Sequence, residues 1–110
     1  MERYIPVITK RYSCKVDVED IIYIQQQQKK LAIVTDDEIY FYYEKLENIL
    51  CYLDNRFFRV MKKLTVNLDK ISMVKEQKIR FQNGDDIYLG RDNYIKIKQK
   101  YTAYIRGLIK

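Results

Sequence analysis

The chain has 110 residues, 47% hydrophobic and 33% charged, with a formal net charge of +6 and a pI near 9.2. That length predicts one domain, residues 1–110, with a modest core, and the composition excludes a disordered chain. With no histidine and two cysteines far apart in sequence, a histidine-based catalytic triad and a zinc site of ordinary ligand spacing are excluded.

The apolar runs are only a few residues long, too short to cross a bilayer, and Met1-Glu2-Arg3 does not open a signal peptide. The expected location is the cytoplasm. Cys14 and Cys51 are expected to be buried thiols, with a redox role as the alternative.

Period-two alternation predicts strands over Tyr4–Thr9 and Tyr12–Val18, joined at Lys10-Arg11. Pro6 suits a strand start or edge. Val18-Glu19-Asp20 then reads as a short turn. Ile21–Gln25 and Leu31–Thr35 read as a hairpin whose tip is Gln26-Gln27-Gln28-Lys29-Lys30. Asp36-Asp37 is a polar turn, and Glu38–Tyr43 a strand rich in β-favouring aromatics.

The period then changes. Leu46, Ile49, Leu50 and Leu53 fall at i, i+3, i+4 and i+7, which predicts a helix from about Glu44 to Asp54. Glu44 and Glu47 near its start suit the helix dipole.

Phe57 to Leu68, FFRVMKKLTVNL, is the stretch on which the chain turns. Positions 55–68 hold no acid, and Arg59, Lys62 and Lys63 stand between apolar residues. Phe57, Phe58, Val60, Leu64 and Val66 can enter a core and leave the cations outward on a rigid base. The plainer reading is a strand and turn with a solvated charged edge.

Ile71–Val74, Lys78–Gln82 and Asp86–Leu89 read as further strands, the last two joined at Asn83-Gly84, a strong hairpin signal. Asp92 is a plausible N-cap for a final helix. Tyr94, Ile97, Tyr101, Tyr104, Ile105 and Leu108 recur at helical spacing to the end. That helix carries Lys96, Lys98, Lys100, Arg106 and Lys110, and its apolar stripe is expected to cover the sheet.

Charge is distributed unevenly. Residues 1–55 hold 7 basic and 10 acidic side chains, net −3, whereas residues 56–110 hold 14 and 5, net +9. Such asymmetry is the electrostatic footprint of a nucleic-acid binder, with an anionic membrane surface as the competing partner. The acid pairs Asp36-Asp37 and Asp85-Asp86 sit in turns, where hydration explains them, and no glycine-rich phosphate loop exists, so the chain is not expected to be an enzyme or to hold a cofactor. The eleven tyrosines could stack bases, but Tyr23, Tyr40, Tyr42, Tyr88 and Tyr101 fall at core-facing positions. What emerges is a β-rich domain presenting three basic clusters: Lys29-Lys30, Lys62-Lys63 and Arg91.

The order of these elements resembles the LytTR DNA-binding domain of bacterial response regulators. Asp20-Ile21-Ile22-Tyr23-Ile24 is similar to the family's early strand. Phe58-Arg59-Val60, then Val66-Asn67-Leu68 and Ile71, is similar to its central signature. Asn83-Gly84, Ile87 and Arg91 resemble its closing hairpin and junction. The resemblance runs from about Ile5 to the C-terminus. It implies a mainly β, elongated architecture of three antiparallel sheets with a short central helix and a C-terminal helix.

It further implies loops that enter successive major grooves of paired short repeats in promoters. The implied base-contacting positions are Lys29 or Lys30, Lys62 with Lys63 beside it, and Arg91, with Arg59 and Lys96 as phosphate neighbours. The family's second loop usually carries His, a basic or amide residue, and Ser; here stand Met61, Lys62 and Lys63. Gly90 replaces the usual Ser before Arg91. The family's usual receiver domain is absent from these 110 residues, so the expectation is either a stand-alone regulator or a fragment, with the start at Met1 favouring the former.

The implied partner is double-stranded promoter DNA, with a homodimer on DNA and an inhibitory or signalling protein as further expectations. The alternative function is a basic module that docks an acidic or membrane-bound partner without reading DNA sequence.

Overall fold

The structure is a computed structural model and describes residues 3–107. Its centre is a five-stranded antiparallel sheet in the order β5-β4-β3-β7-β6. The strands are β3 (Ile21–Gln27), β4 (Lys30–Thr35), β5 (Ile39–Tyr43), β6 (Phe57–Met61) and β7 (Leu64–Asn67). A two-stranded sheet of β1 (Tyr4–Ile8) and β2 (Ser13–Asp17) belongs to one side, with α1 (Leu46–Ile49). A three-stranded sheet of β8 (Ile71–Lys75), β9 (Lys78–Phe81) and β10 (Asp86–Tyr88) belongs to the other, with α2 (Arg91–Ile105). The extents of 40 × 32 × 24 Å make the molecule elongated.

Two cores follow from strand alternation, since neighbouring side chains enter opposite faces of the central sheet. Ile21, Ile24, Leu31 and Ile33 pack with Ile5, Val7, Val16, Leu46 and Ile49. Ile22, Val34 and Val66 pack with Leu68, Ile79, Phe81, Leu89 and Ile97. The β3 and β4 strands are therefore apolar on both faces, which is why 31–34 reads as an unbroken apolar run. Asn67, fully buried, ties the layers: its Nδ2 donates to the Ile21 carbonyl at 2.8 Å, and its Oδ1 accepts the Asp69 N–H at 3.0 Å.

The expected strands are present, and several local expectations are corrected. The helix expected over 44–54 is a single α turn followed by a 3-10 turn, Leu50–Tyr52, with Leu53 already extended. Leu46 and Ile49 are buried and Leu50 and Leu53 half-buried, so the apolar row faces inward although the helix is short. Asp92 is not the N-cap of α2. The Tyr94 N–H bonds the Gly90 carbonyl at 2.9 Å, which makes Gly90 the cap and places Asp92 in the first turn.

The α2 helix stops at Ile105, which is exposed, and Gly107 follows at φ +76. Leu108 and Lys110, expected on this helix, lie outside the described residues. Tyr88 is 71% exposed because it lies on the edge strand β10, on the face opposite Ile87, which is the residue that packs against the second core. Cys51 is exposed and Cys14 half-buried, so neither is a fully buried thiol.

Candidate nucleic-acid interface

The tip of the β3–β4 hairpin is tighter than alternation predicts. Gln27 pairs with Lys30, leaving a two-residue turn of Gln28 and Lys29. Gln28 adopts φ 59, a left-handed conformation that costs a non-glycine residue energy. The Gln26 side chain steadies it. Its Nε2 donates to the carbonyls of Gln28 (2.9 Å), Lys30 (3.1 Å) and Glu44 (3.0 Å), and its Oε1 accepts the Leu46 N–H at 2.8 Å. One amide thus fixes both the turn that carries Lys29 and the start of α1.

The β6–β7 hairpin turns at Lys62 and Lys63, at the same end of the sheet. Gln25 pairs with Leu64, and the Gln26 N–H donates to the Lys63 carbonyl at 2.8 Å. A bulge between Arg59 and Met61 bends β6 just before this turn. Arg59 lies beneath it, with Nη2 donating to the Lys62 carbonyl and to Glu47 Oε1, both at 2.7 Å. The Arg59 guanidinium, with Lys62 adding to it, holds the Glu47 carboxyl below its usual range.

The third cluster is brought in by α2. Asn93 Nδ2 donates to Met61 Sδ at 3.6 Å, one residue from Lys62. Farther along, Lys100 Nζ stands 5.4 Å over the Phe58 ring. Lys96, exposed, lies one turn from each of Asn93 and Lys100 on the helix. Arg91 is the first residue of α2. Its approach is set by Leu89, which is buried and whose N–H donates to the Gln77 carbonyl at 2.8 Å.

Lys29, Lys62 and Lys63 line one groove, floored by Gln26 and walled by Glu44, Glu47 and Asn48. Lys30 diverges from it. Its Nζ lies 5.4 Å over the Tyr43 ring, beside a separate groove at the β5 edge. Arg59 is half-buried and occupied by Glu47, unlike the exposed lysines. Among the described residues, Lys29, Lys62, Lys63, Arg91 and Lys96 form no ion pair, whereas Arg56, Arg59, Lys70, Lys78 and Arg80 do. Five unpaired cations therefore stand at the β3–β4 turn, the β6–β7 turn and the first turns of α2, and the β3–β4 hairpin and α2 each contact the β6–β7 hairpin. Other unpaired cations, such as Lys10, Arg11 and Lys98, lie elsewhere on the surface.

The model of the LytTr DNA-binding domain family matches residues 11–102. The chain belongs to the LytTR family. This LytTR domain is also similar in fold to a solved structure, the LytTr DNA-binding domain of a Bacillus cereus protein described as a methyl-accepting/DNA response regulator. The TM-score is 0.73 at 15% identity, over 91% of this chain and 96% of the other. No curated protein sequence matches the chain.

The family membership makes this a DNA-binding domain serving transcription regulation, from a family defined by binding rather than by catalysis. Among the described residues, no helix of this LytTR domain is long and apolar enough to cross a membrane.

Residues that support the site went unseen in the sequence. Gln26 stood inside a run of four glutamines and read as part of the tip. Its alternation with Ile24 was the available signal that it still belonged to β3. Asn93 and Glu47 gave none, because each acts on an element distant in sequence.

Proposed function

We propose that this LytTR domain, acting as one unit over its whole length, binds double-stranded promoter DNA sequence-specifically through the turns at Lys29 and Lys62-Lys63 and the start of α2 at Arg91. The observation that carries the proposal is the meeting of these three elements through the Gln26–Lys63 backbone bond and the Asn93–Met61 contact. Short loops on strands and a helix start can enter a major groove with little ordering cost, and their cations are free to displace phosphate counterions.

In this proposal Arg91 reads a base edge, Lys62 reads a base or a phosphate, and Lys29, Lys63 and Lys96 contact the backbone. Lys30 joins from the side of the Tyr43 ring. Arg59 contributes by holding the Lys62 carbonyl and supplies positive potential close to the phosphates. Two copies on paired short repeats in the cytoplasm would form the regulatory complex.

Selection from a random duplex library tests binding and specificity together. A recovered motif supports the proposal. Recovery of no motif, with binding abolished by heparin, would instead mark a basic surface for an acidic protein.

A further inference from the structure

The central sheet has two edges, and they are treated differently. The β6 edge is flanked by α2, through Asn93 on Met61 and Lys100 on Phe58. Among the described residues, the β5 edge has no helix along it; the β1–β2 hairpin comes near its Phe41–Tyr43 end across a groove. Its register with β4, together with the Thr35 N–H bond to the Glu38 carbonyl, places Glu38, Tyr40 and Tyr42 in the ladder. The N–H and C=O groups of Ile39, Phe41 and Tyr43 therefore point away from the sheet.

The same three side chains are exposed, by 49, 47 and 75%. Ile39–Tyr43 contains no charge, proline or bulge, the usual guards of a free edge.

Beside this edge runs a groove of about 720 Å³, walled by Phe41, Tyr43 and the β1–β2 turn with Ile8 and Tyr12. Its charged members are Lys10, Arg11 and Lys30, with no acid among them. At the opposite end of β5 stand Asp36, Asp37 and Glu38, all exposed. The strand is thus basic beside one end, acidic at the other and apolar between.

We propose that β5 is a self-pairing edge, at which a second copy of this chain adds its own β5 antiparallel. A two-fold axis at Phe41 sets Ile39 opposite the partner's Tyr43, with the outward N–H and C=O groups of both strands in register. It brings Asp37 and Glu38 to the end where the other copy holds Lys10, Arg11 and Lys30. Asp37 falls opposite Lys45. Glu38 falls opposite Glu44, whose Oε1 is already taken inward by the Lys45 N–H and Asn48 Nδ2, each at 2.8 Å.

The pairing satisfies six backbone groups per strand and sets Ile39 beside the other copy's Tyr43, and Phe41 beside the other copy's Phe41, as cross-strand apolar pairs. It also leaves the two Lys29 tips at opposite ends of the joined sheet. This contact therefore links copies on separate duplex segments, not neighbours on one.

Sedimentation of the full chain across concentration and salt tests the proposal. A monomer–dimer equilibrium that weakens as salt rises is expected. Phe41→Glu should raise the dimer dissociation constant by roughly tenfold or more while leaving folding and single-site DNA affinity unchanged.

A charge exchange makes the test independent of any one variant. A chain with Asp37→Lys and Glu38→Lys, and another with Lys10→Glu and Arg11→Glu, should each be monomeric alone and form a heterodimer when mixed. A wild-type chain that stays monomeric at millimolar concentration, a Phe41→Glu chain that dimerises like wild type, or exchanged chains that ignore each other would each overturn the proposal.

Discussion

The Oε1 of Gln26 accepts the backbone N–H of Leu46 at 2.8 Å, across 20 residues of sequence. The contact joins a hairpin turn to the first turn of a helix too short to hold itself. A four-residue helix makes almost no internal ladder, so its first N–H groups need a partner from elsewhere. The same side chain holds the left-handed Gln28 from the other side. Gln26→Leu should leave the Leu46 N–H and the Gln28 and Lys30 carbonyls without their partner and cost about 1–3 kcal/mol in urea unfolding. DNA affinity should fall with an unchanged salt slope, because no phosphate contact is removed. A lowered slope would mean that Gln26 acts through charge placement.

Arg91 and Lys63 should fail in different ways. Arg91→Ala should cost roughly 1–3 kcal/mol of affinity and relax preference at one base pair. Lys63→Ala should weaken every sequence alike and lower the salt slope by about one. Gel-shift titrations across salt, with matched and mutated operators, separate the two. If both variants bind as wild type, the interface lies elsewhere on the molecule.

Asn67 is a structural residue by the same standard. Asn67→Leu keeps the γ-branched outline but strands the Ile21 carbonyl and the Asp69 N–H at a buried junction. The expected loss is roughly 2–4 kcal/mol, from two orphaned backbone groups and a lost cap. Thermal unfolding read beside Asn83→Ala, at an exposed turn, provides the contrast.

Alkaline pH should unfold the protein through its tyrosines. Burial, followed by the Asp85 carboxylate that accepts its hydroxyl at 3.0 Å, pushes Tyr23 up to about 12. Burial, followed by Glu44, does the same for Tyr42, and burial with Asp69 for Tyr104, each to about 12. A raised pKa in the folded state means that the folded chain holds its proton more tightly than the unfolded one. The stability this provides is complete below the unfolded value near 10 and is lost as pH rises through about 12. Phenolate absorbance should therefore show late-titrating tyrosines whose ionisation coincides with unfolding. Tyr23→Phe should remove one of them and flatten the loss of stability over that window.

Much of the strand order was legible because a strand announces itself at short range. Alternation over Tyr4–Ile8 or Ile39–Tyr43, and the Asn83-Gly84 turn, depend only on neighbours in sequence. The short α1 was not legible. Leu46, Ile49, Leu50 and Leu53 kept an inward row while the backbone changed from α to 3-10, a change that a period-3.6 pattern does not distinguish. Tyr88 shows the converse limit: alternation gives the face of a strand but not whether anything covers it.

The sequence by itself determined that this chain is β-rich, that its cations gather in the second half, and that its words follow the LytTR order, because composition and local period are properties of neighbouring residues. Only the tertiary structure decided which cations stand together. Lys29 and Lys30 are adjacent in sequence, yet one joins Lys62 and Lys63 while the other lies on Tyr43. Lys63 sits beside the β3 strand end because β3 and β7 pair antiparallel, and Asn93 at the start of α2 meets Met61 because the helix packs along β6. Those juxtapositions arise from strand pairing and helix docking across tens of residues, and no local pattern encodes them.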